Sequence, residues 1–240
     1  MSAKARLRKP PAAARPFVLL NVAATADGKI APASRRYVPF GSRRDHEMLL
    51  QLRAGADAVM AGARTVDSFP VNMGPGPKRF REQRRRRGLA EYNLRVIVSG
   101  SGSIDPHAEI FRHRFSPILI LTTRRAGPKK LARLRALADA VKICGAQQID
   151  FALALRWLRK KWHVQRLLCE GGGELNDALF RARLVDEVHL TLCPLLLGGR
   201  TAPTPADGSG AKKLADAARL ELKSMQRVRG ELFLVYRVRA

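Results

Sequence analysis

The segment Arg166-Leu-Leu-Cys-Glu-Gly-Gly-Gly-Glu-Leu-Asn176 carries a short apolar run into three consecutive glycines and on into a helix-like continuation. Lacking Cβ atoms, those glycines let backbone N–H groups come close to a ligand, and a helix that starts there favours an anionic group such as a pyrophosphate. The outline is that of a phosphate cradle. The spacing satisfies neither the G-x-G-x-x-G dinucleotide fingerprint nor the Walker pattern, so the usual Rossmann enzyme and the P-loop ATPase are both unsupported. Taken alone, three glycines after a strand also fit a plain tight turn.

Outward from this segment, short apolar runs alternate with amphipathic stretches. Strands are predicted at Phe17 to Ala23, Ala58 to Ala61, Leu94 to Val98, Ile118 to Thr122, Val141 to Cys144, Arg166 to Cys169 and Glu187 to Thr191. Phe151, Leu155, Leu158 and Trp162 share one helical face after a potential cap at Asp150, and Ser42 is placed to cap a helix through Met48, Leu49 and Leu52. This alternation predicts an α/β domain with a mainly parallel central sheet and helices on both faces. Two further strands, Leu220 to Gln226 and Glu231 to Tyr236, flank Gly230 and predict an antiparallel C-terminal hairpin. Residues 67 to 92 and 198 to 210 read as irregular, and loops of that length are functional lids or disordered.

A length of 240 residues with 46% hydrophobic content suits one large domain that needs no disulfide staples. Cys144, Cys169 and Cys193 lie far apart without a Cys-x-x-Cys pair, which gives no zinc or redox motif and fits a reducing, cytoplasmic setting. The basic stretch Lys4 to Arg15 followed by Phe17-Val-Leu-Leu-Asn-Val-Ala-Ala has the outline of a secretory signal, but Asn21 interrupts a short apolar run that reads equally as a buried first strand. No run approaches a membrane span in length. The formal net charge of +25 would attract phosphates, nucleic acid or anionic membranes. Part of it sits in residues 1–15, read as a disordered basic arm preceding a domain at 16–240, and part in Lys78 to Arg87. A nucleic-acid-binding protein is therefore the rival from another class, although no recognition-module signature supports it.

Four ordered blocks narrow the choice. Asn21-Val-Ala-Ala-Thr-Ala-Asp27-Gly28-Lys29-Ile30-Ala31, then Leu52-Arg53-Ala-Gly-Ala-Asp57 running to Gly62-Ala63-Arg64-Thr65-Val66, then Glu170-Gly-Gly-Gly, then Leu184-Val-Asp186-Glu187-Val188 with Pro194-Leu-Leu-Leu-Gly198-Gly199 span nearly the whole chain. In order and spacing they resemble the riboflavin-biosynthesis reductases. The resemblance implies a single dihydrofolate-reductase-like domain, NADPH as cofactor, a phosphorylated pyrimidine substrate and a homodimer. It also implies site roles. Thr65 and Gly171, Gly172, Gly173, Glu174 and Leu175 would hold the pyrophosphate, Ala24 would meet the nicotinamide, and Ser99 would lie near the adenosine 2′-phosphate. Asn21, Arg53 and Glu170 would contact substrate; the general acid is not identified, the candidates being Glu170 and Asp27, although Asp27-Gly28 also reads as a plain turn dipeptide after the first strand.

The chain departs from the family pattern in two places. Asn21 stands where bacterial bifunctional members carry Lys, as in the archaeal and fungal branch. Val66-Asp67-Ser68-Phe69-Pro70-Val71-Asn72-Met73-Gly74 lacks the family's paired Asp and its phosphate-contacting Arg, which leaves a related reductase of another pterin-like or imine substrate as an alternative. The His-x-Glu and Pro-Cys-x-x-Cys of the zinc deaminases are absent, so only reduction is expected.

Overall fold

The computed structural model describes residues 14–36, 38–68 and 70–239. Nine strands are present: β1 (Phe17–Thr25), β2 (Ala58–Gly62), β3 (Leu94–Val98), β4 (Ile118–Thr122), β5 (Ala140–Ile143), β6 (Arg166–Cys169), β7 (Glu187–Cys193), β8 (Arg219–Val228) and β9 (Glu231–Arg239). The helices among the described residues are α1 (Arg43–Ala54), α2 (Ala63–Ser68), α3 (Lys78–Arg86), α4 (Glu109–Arg112), α5 (Gly127–Leu137), α6 (Phe151–Lys161) and α7 (Gly173–Arg181). All nine strands join one sheet in the order β5-β4-β3-β2-β6-β1-β7-β9-β8. Pairing is parallel from β5 to β7, and β9 and β8 close the far edge antiparallel.

The strand chemistry explains this order. β4 is buried along its whole length, as a continuous apolar run in a sheet covered on both faces must be. Along β1 the side chains alternate. Val18 and Leu20 enter a core with Phe151, Leu155 and Leu158 of α6 and Leu175 and Leu179 of α7. Leu19 enters the opposite core with Val59, Ile97 and Leu168, against Leu49 and Leu52 of α1 and Leu134 of α5. The run that had the outline of a secretory signal core is thus a central strand. At the exposed edge, β8 carries Lys223, Arg219 and Arg227, the charges that blunt an edge strand. The two-residue turn before β9 places Arg229 at φ 49° and Gly230 at φ 94°, the double left-handed geometry of a hairpin.

Both expected helix caps form. Asp150 accepts from Leu153 N at 2.9 Å, and Ser42 accepts from Arg44 N at 3.1 Å. Trp162 lies one residue past the end of α6 as its C-cap. Among the described residues no helix is long and apolar enough to cross a membrane, and the three cysteines are free and buried. The expected basic arm lies outside the described residues apart from its end, where Arg15 forms a two-pronged ion pair with Asp186 at 2.7 and 2.8 Å.

The stretch 67 to 92 corrects the sequence reading, because α3 runs through its middle. Its inward face consists of Phe80, packed on Leu50 and Ala54 of α1, and Arg84, which is 1% exposed. A helix that buries one aromatic and one cation gives no apolar periodicity to read. Arg84 Nη1 donates to Arg53 O at 2.9 Å and Nε to Ala90 O at 2.8 Å, and Nη1 also reaches Ala56 O. The guanidinium therefore satisfies carbonyls at the C-terminal end of α1, where the helix dipole favours a cation. Burial pushes its pKa down, countered by Asp57, yet Arg stays charged at neutral pH. Arg84→Met, which keeps the stem and orphans these carbonyls, is expected to cost about 3 kcal/mol, read from urea unfolding.

Candidate active site

The chain leaves β2 toward β3 on one side of the sheet and leaves β6 toward β7 on the other, so the neighbours β2 and β6 flank the switch point. Open α/β sheets take ligands in the crevice at such a point, beyond the carboxyl ends of the strands. Here the two loops are bonded together: Glu170 N donates to Met60 O at 2.8 Å and Gly62 N to Gly171 O at 2.8 Å. α2 begins immediately after β2, and α7 begins on Gly173 after β6. Gly172 is the N-cap of α7 and has no side chain to accept from the first-turn amides, so those donors are left for a ligand. A Cβ on Gly172 would meet only Thr65 Oγ1, at 3.6 Å, so the glycine keeps open a gap that faces the threonine hydroxyl. Arg64 Nη1 donates to Glu174 Oε1 at 2.6 Å and ties α2 to α7 at the exposed rim.

The remaining glycines have other tasks. Gly171 stands at φ +83°, a conformation that glycine adopts without a Cβ penalty. Gly173 is packed so closely that a Cβ would lie 2.5 Å from Thr204 O. The irregular segment 198 to 210 therefore rests on the first turn of α7, bonded by Asp207 N to Gly173 O at 3.0 Å and by Asn176 Nδ2 to Pro205 O at 2.7 Å. The Leu175 side chain is buried in the core, which leaves its backbone as the part that can meet a ligand.

On the α1 side of the sheet, polar residues line up across neighbouring strands. Arg53 Nε and Nη2 donate to Glu170 Oε1 and Oε2 at 2.6 and 2.7 Å, while Arg53 Nη1 donates to Gly74 O at 3.0 Å. Leu20 is in register with Cys169, so Asn21 of β1 stands beside Glu170. Asn21 is in register with His189 of β7, whose Nε2 lies 2.8 Å from Glu187 Oε1. The order is thus Glu170, Asn21, His189, one strand spacing of about 4.8 Å apart.

Two further expected site residues, Asp27 and Ser99, also have their side chains engaged within the protein. Asp27 accepts from Thr25 Oγ1 at 2.6 Å, Leu197 N at 3.1 Å and Gly198 N at 2.7 Å. It clamps the loop after β7 onto the turn after β1. The Thr25 hydroxyl bond, opposed by desolvation and aided by the Gly198 and Leu197 amides, holds its carboxyl down at about 2. Because its folded pKa is depressed, this group adds stability above its unfolded pKa near 4, and the contribution is lost as pH falls from there through about 2. Asp27→Ala is expected to speed hydrogen exchange at the Leu197 and Gly198 amides at neutral pH, measured by NMR, while the sheet amides stay protected. Ser99, buried at the end of β3, donates from Oγ to Ser103 O at 2.9 Å. Beside that turn Lys130 Nζ reaches Ser103 Oγ at 2.8 Å and Ser101 O at 3.2 Å, a cation the sequence did not single out. Ala24 is buried at the carboxyl end of β1, with its side chain on the face opposite Asn21.

The structure is an α/β protein with a mainly parallel sheet covered on both faces, a gap between Gly172 and Thr65 at its switch point and a polar row beside it. The chain belongs to the RibD C-terminal domain family, whose model matches residues 16–234. It is 35% identical over 228 residues to the 2,5-diamino-6-ribosylamino-4(3H)-pyrimidinone 5′-phosphate reductase of Methanothermobacter thermautotrophicus, covering 94% of this chain and 99% of that protein. Identity to the protein of the same name from Archaeoglobus fulgidus is 32%, over 86% of this chain and 93% of that one. Among solved structures, a pyrimidine reductase-like protein from Corynebacterium diphtheriae shares the fold with a TM-score of 0.77 at 23% identity, covering 94% of this chain and 92% of that one.

Proposed function

We propose that this chain is an NADPH-dependent reductase that converts the ribosyl group of a ribosylamino-pyrimidine 5′-phosphate to the ribityl form. The observation that carries the reading is the placement of an anion gap between Gly172 and Thr65 directly beside the row of Glu170 and Asn21, in a chain that matches the named reductases along nearly its whole length. The gap fits a diphosphate, since a Cβ at Gly172 would occupy it and the N-cap of α7 supplies no competing acceptor.

NADPH, when bound, supplies a hydride to C1′ of the sugar. The Thr65 hydroxyl and the first amides of α7 hold the diphosphate, with Gly171 shaping the turn and Glu174 held at the rim by Arg64. The backbone at Ala24 closes the carboxyl end of β1 where the nicotinamide would lie. Arg53 fixes the Glu170 carboxylate, which accepts from sugar hydroxyls, and Asn21 offers an amide beside it. Positioning in this row does most of the work, because an oriented pair of reactants removes much of the entropic barrier. Lys130, with the turn from Ser99 to Ser103, supplies the basic surface for a 2′-phosphate.

Arg84 of the arginine run takes no part in a basic surface for nucleic acid, whereas Arg85, Arg86 and Arg87 stay exposed. Arg84 is buried against backbone carbonyls, and Arg85 Nη2 lies 3.6 Å from Glu91 Oε1. The test is NADPH oxidation, followed by absorbance, with the diamino and the deaminated ribosylaminopyrimidine phosphates. Turnover of one is expected, and turnover of neither would overturn the proposal. NADPH is expected to bind at least tenfold more tightly than NADH, about 1.4 kcal/mol, and equal affinities in a fluorescence titration would remove the role given to Lys130 and the Ser99 turn.

A further inference from the structure

His189 has an arrangement that the roles above do not use. It lies on the α1 face of β7, in register with Asn21, with its side chain only 13% exposed. Nε2 is engaged by Glu187 Oε1 at 2.8 Å, and the other carboxylate oxygen of Glu187 is held by Lys223 of β8. Burial pushes the Glu187 carboxyl up, but the bonds from Lys223 and His189 outweigh it and hold the group below its usual range. Nδ1 of the ring makes no hydrogen bond to the described residues. An imidazole with one nitrogen fixed by a carboxylate and the other open beside a substrate-facing residue is oriented for proton transfer.

We infer that His189 is the proton donor of this site and delivers a proton from Nδ1 to the ring oxygen of the ribosylamine as the sugar opens. The inference rests on the reading of the site as a ribosylamine reductase. As the exocyclic nitrogen lone pair forms the C1′=N bond, the C1′–O4′ bond breaks, its electron pair goes to O4′, and O4′ takes the proton from the imidazolium. Hydride then adds to C1′ and the C=N electron pair returns to nitrogen, so NADPH is oxidised by two electrons and one proton is consumed. Solvent restores the imidazolium. The charged groups around His189 are Glu187 with Lys223, Arg237 of β9 in register with Glu187, Asp45 of α1 near Thr191, and Glu170 with Arg53 one strand beyond Asn21.

His189→Gln keeps a donor at the position of Nε2, toward Glu187, and removes Nδ1. With saturating NADPH and the ribosylaminopyrimidine phosphate, wild-type kcat should fall as pH rises and the donor loses its proton. The variant should lose about 100-fold in kcat at neutral pH and lose that pH limb, while NADPH affinity by fluorescence and the melting temperature stay at the wild-type values. Calorimetry with the ribityl product and no NADPH should show affinity weakened several-fold. Glu187→Gln, which keeps the imidazole, should move the limb to lower pH, and it serves as the test if His189→Gln does not fold. Unchanged kcat and pH profile in His189→Gln, or a loss of kcat that keeps the limb, would overturn the inference while leaving the reductase reading intact. A wild-type protein that binds NADPH and reduces neither pyrimidine overturns both.

Discussion

Gly172→Val should leave a folded protein that has lost NADPH affinity by about 100-fold or more, the equivalent of one to two charge-assisted hydrogen bonds. Its backbone sits at φ −73° and ψ −169°, extended geometry open to a β-branched residue. The added Cβ would find Thr65 Oγ1 at 3.6 Å, ordinary contact, so no collision with the surrounding elements removes the fold. What the side chain takes away is the space between Thr65 and the start of α7. The neighbouring glycines sharpen the test. Gly173→Ala would drive a Cβ to 2.5 Å from Thr204 O and displace the segment resting on α7, so it should lose stability together with binding. Thr65→Val keeps the space and removes one hydroxyl, and should cost only about 1.5–3 kcal/mol of affinity. Circular dichroism with a fluorescence titration on the three variants separates these outcomes. Wild-type NADPH affinity in a folded Gly172→Val would reduce Glu170 to Leu175 to a turn.

How much of this was legible in the sequence depended on whether a residue's neighbours are local. β3, β4 and β6 match their predicted limits because each is an apolar run bounded by turn residues, and the caps at Ser42 and Asp150 act within one helical turn. The gap at the switch point was legible only through the glycine run; nothing local says that Gly172 faces Thr65. α3 was hidden because Arg84 fills a core position that the eye reserves for Leu. His189 was hidden for a different reason. In Glu187-Val-His-Leu-Thr191 it reads as one polar residue on the wet face of a strand, and only the order β6-β1-β7 brings it beside Asn21, in one row with Glu170. Asp27 shows the converse. Its Asp-Gly pair reads as a turn with a carboxylate to spare, whereas the structure gives both carboxylate oxygens backbone amides from the loop after β7.

The second large effect is expected at Glu170, where fold and site depend on the same ion pair. The Arg53 and Glu170 side chains are 9% and 12% exposed and meet through two parallel bonds, the bidentate geometry that arginine forms best with a carboxylate. Removing one partner leaves the other charge buried, which costs more than the pair contributes. Glu170→Ala should therefore lose about 3 kcal/mol of stability, the low end for a broken buried pair, because Arg53 keeps its bond to Gly74 O. Arg53→Met should cost a similar amount by orphaning the carboxylate. The double variant should lose less than the sum of the two, since neither charge is then left alone. Substrate binding answers differently. If Glu170 accepts from sugar hydroxyls and Arg53 only orients it, Arg53→Met keeps part of the substrate affinity whereas Glu170→Ala and the double variant lose it equally. Urea unfolding gives the first comparison, and calorimetric titration with the ribityl product gives the second. Additive losses in stability would show that the pair is not coupled, and equal product affinity in all four proteins would place the sugar elsewhere.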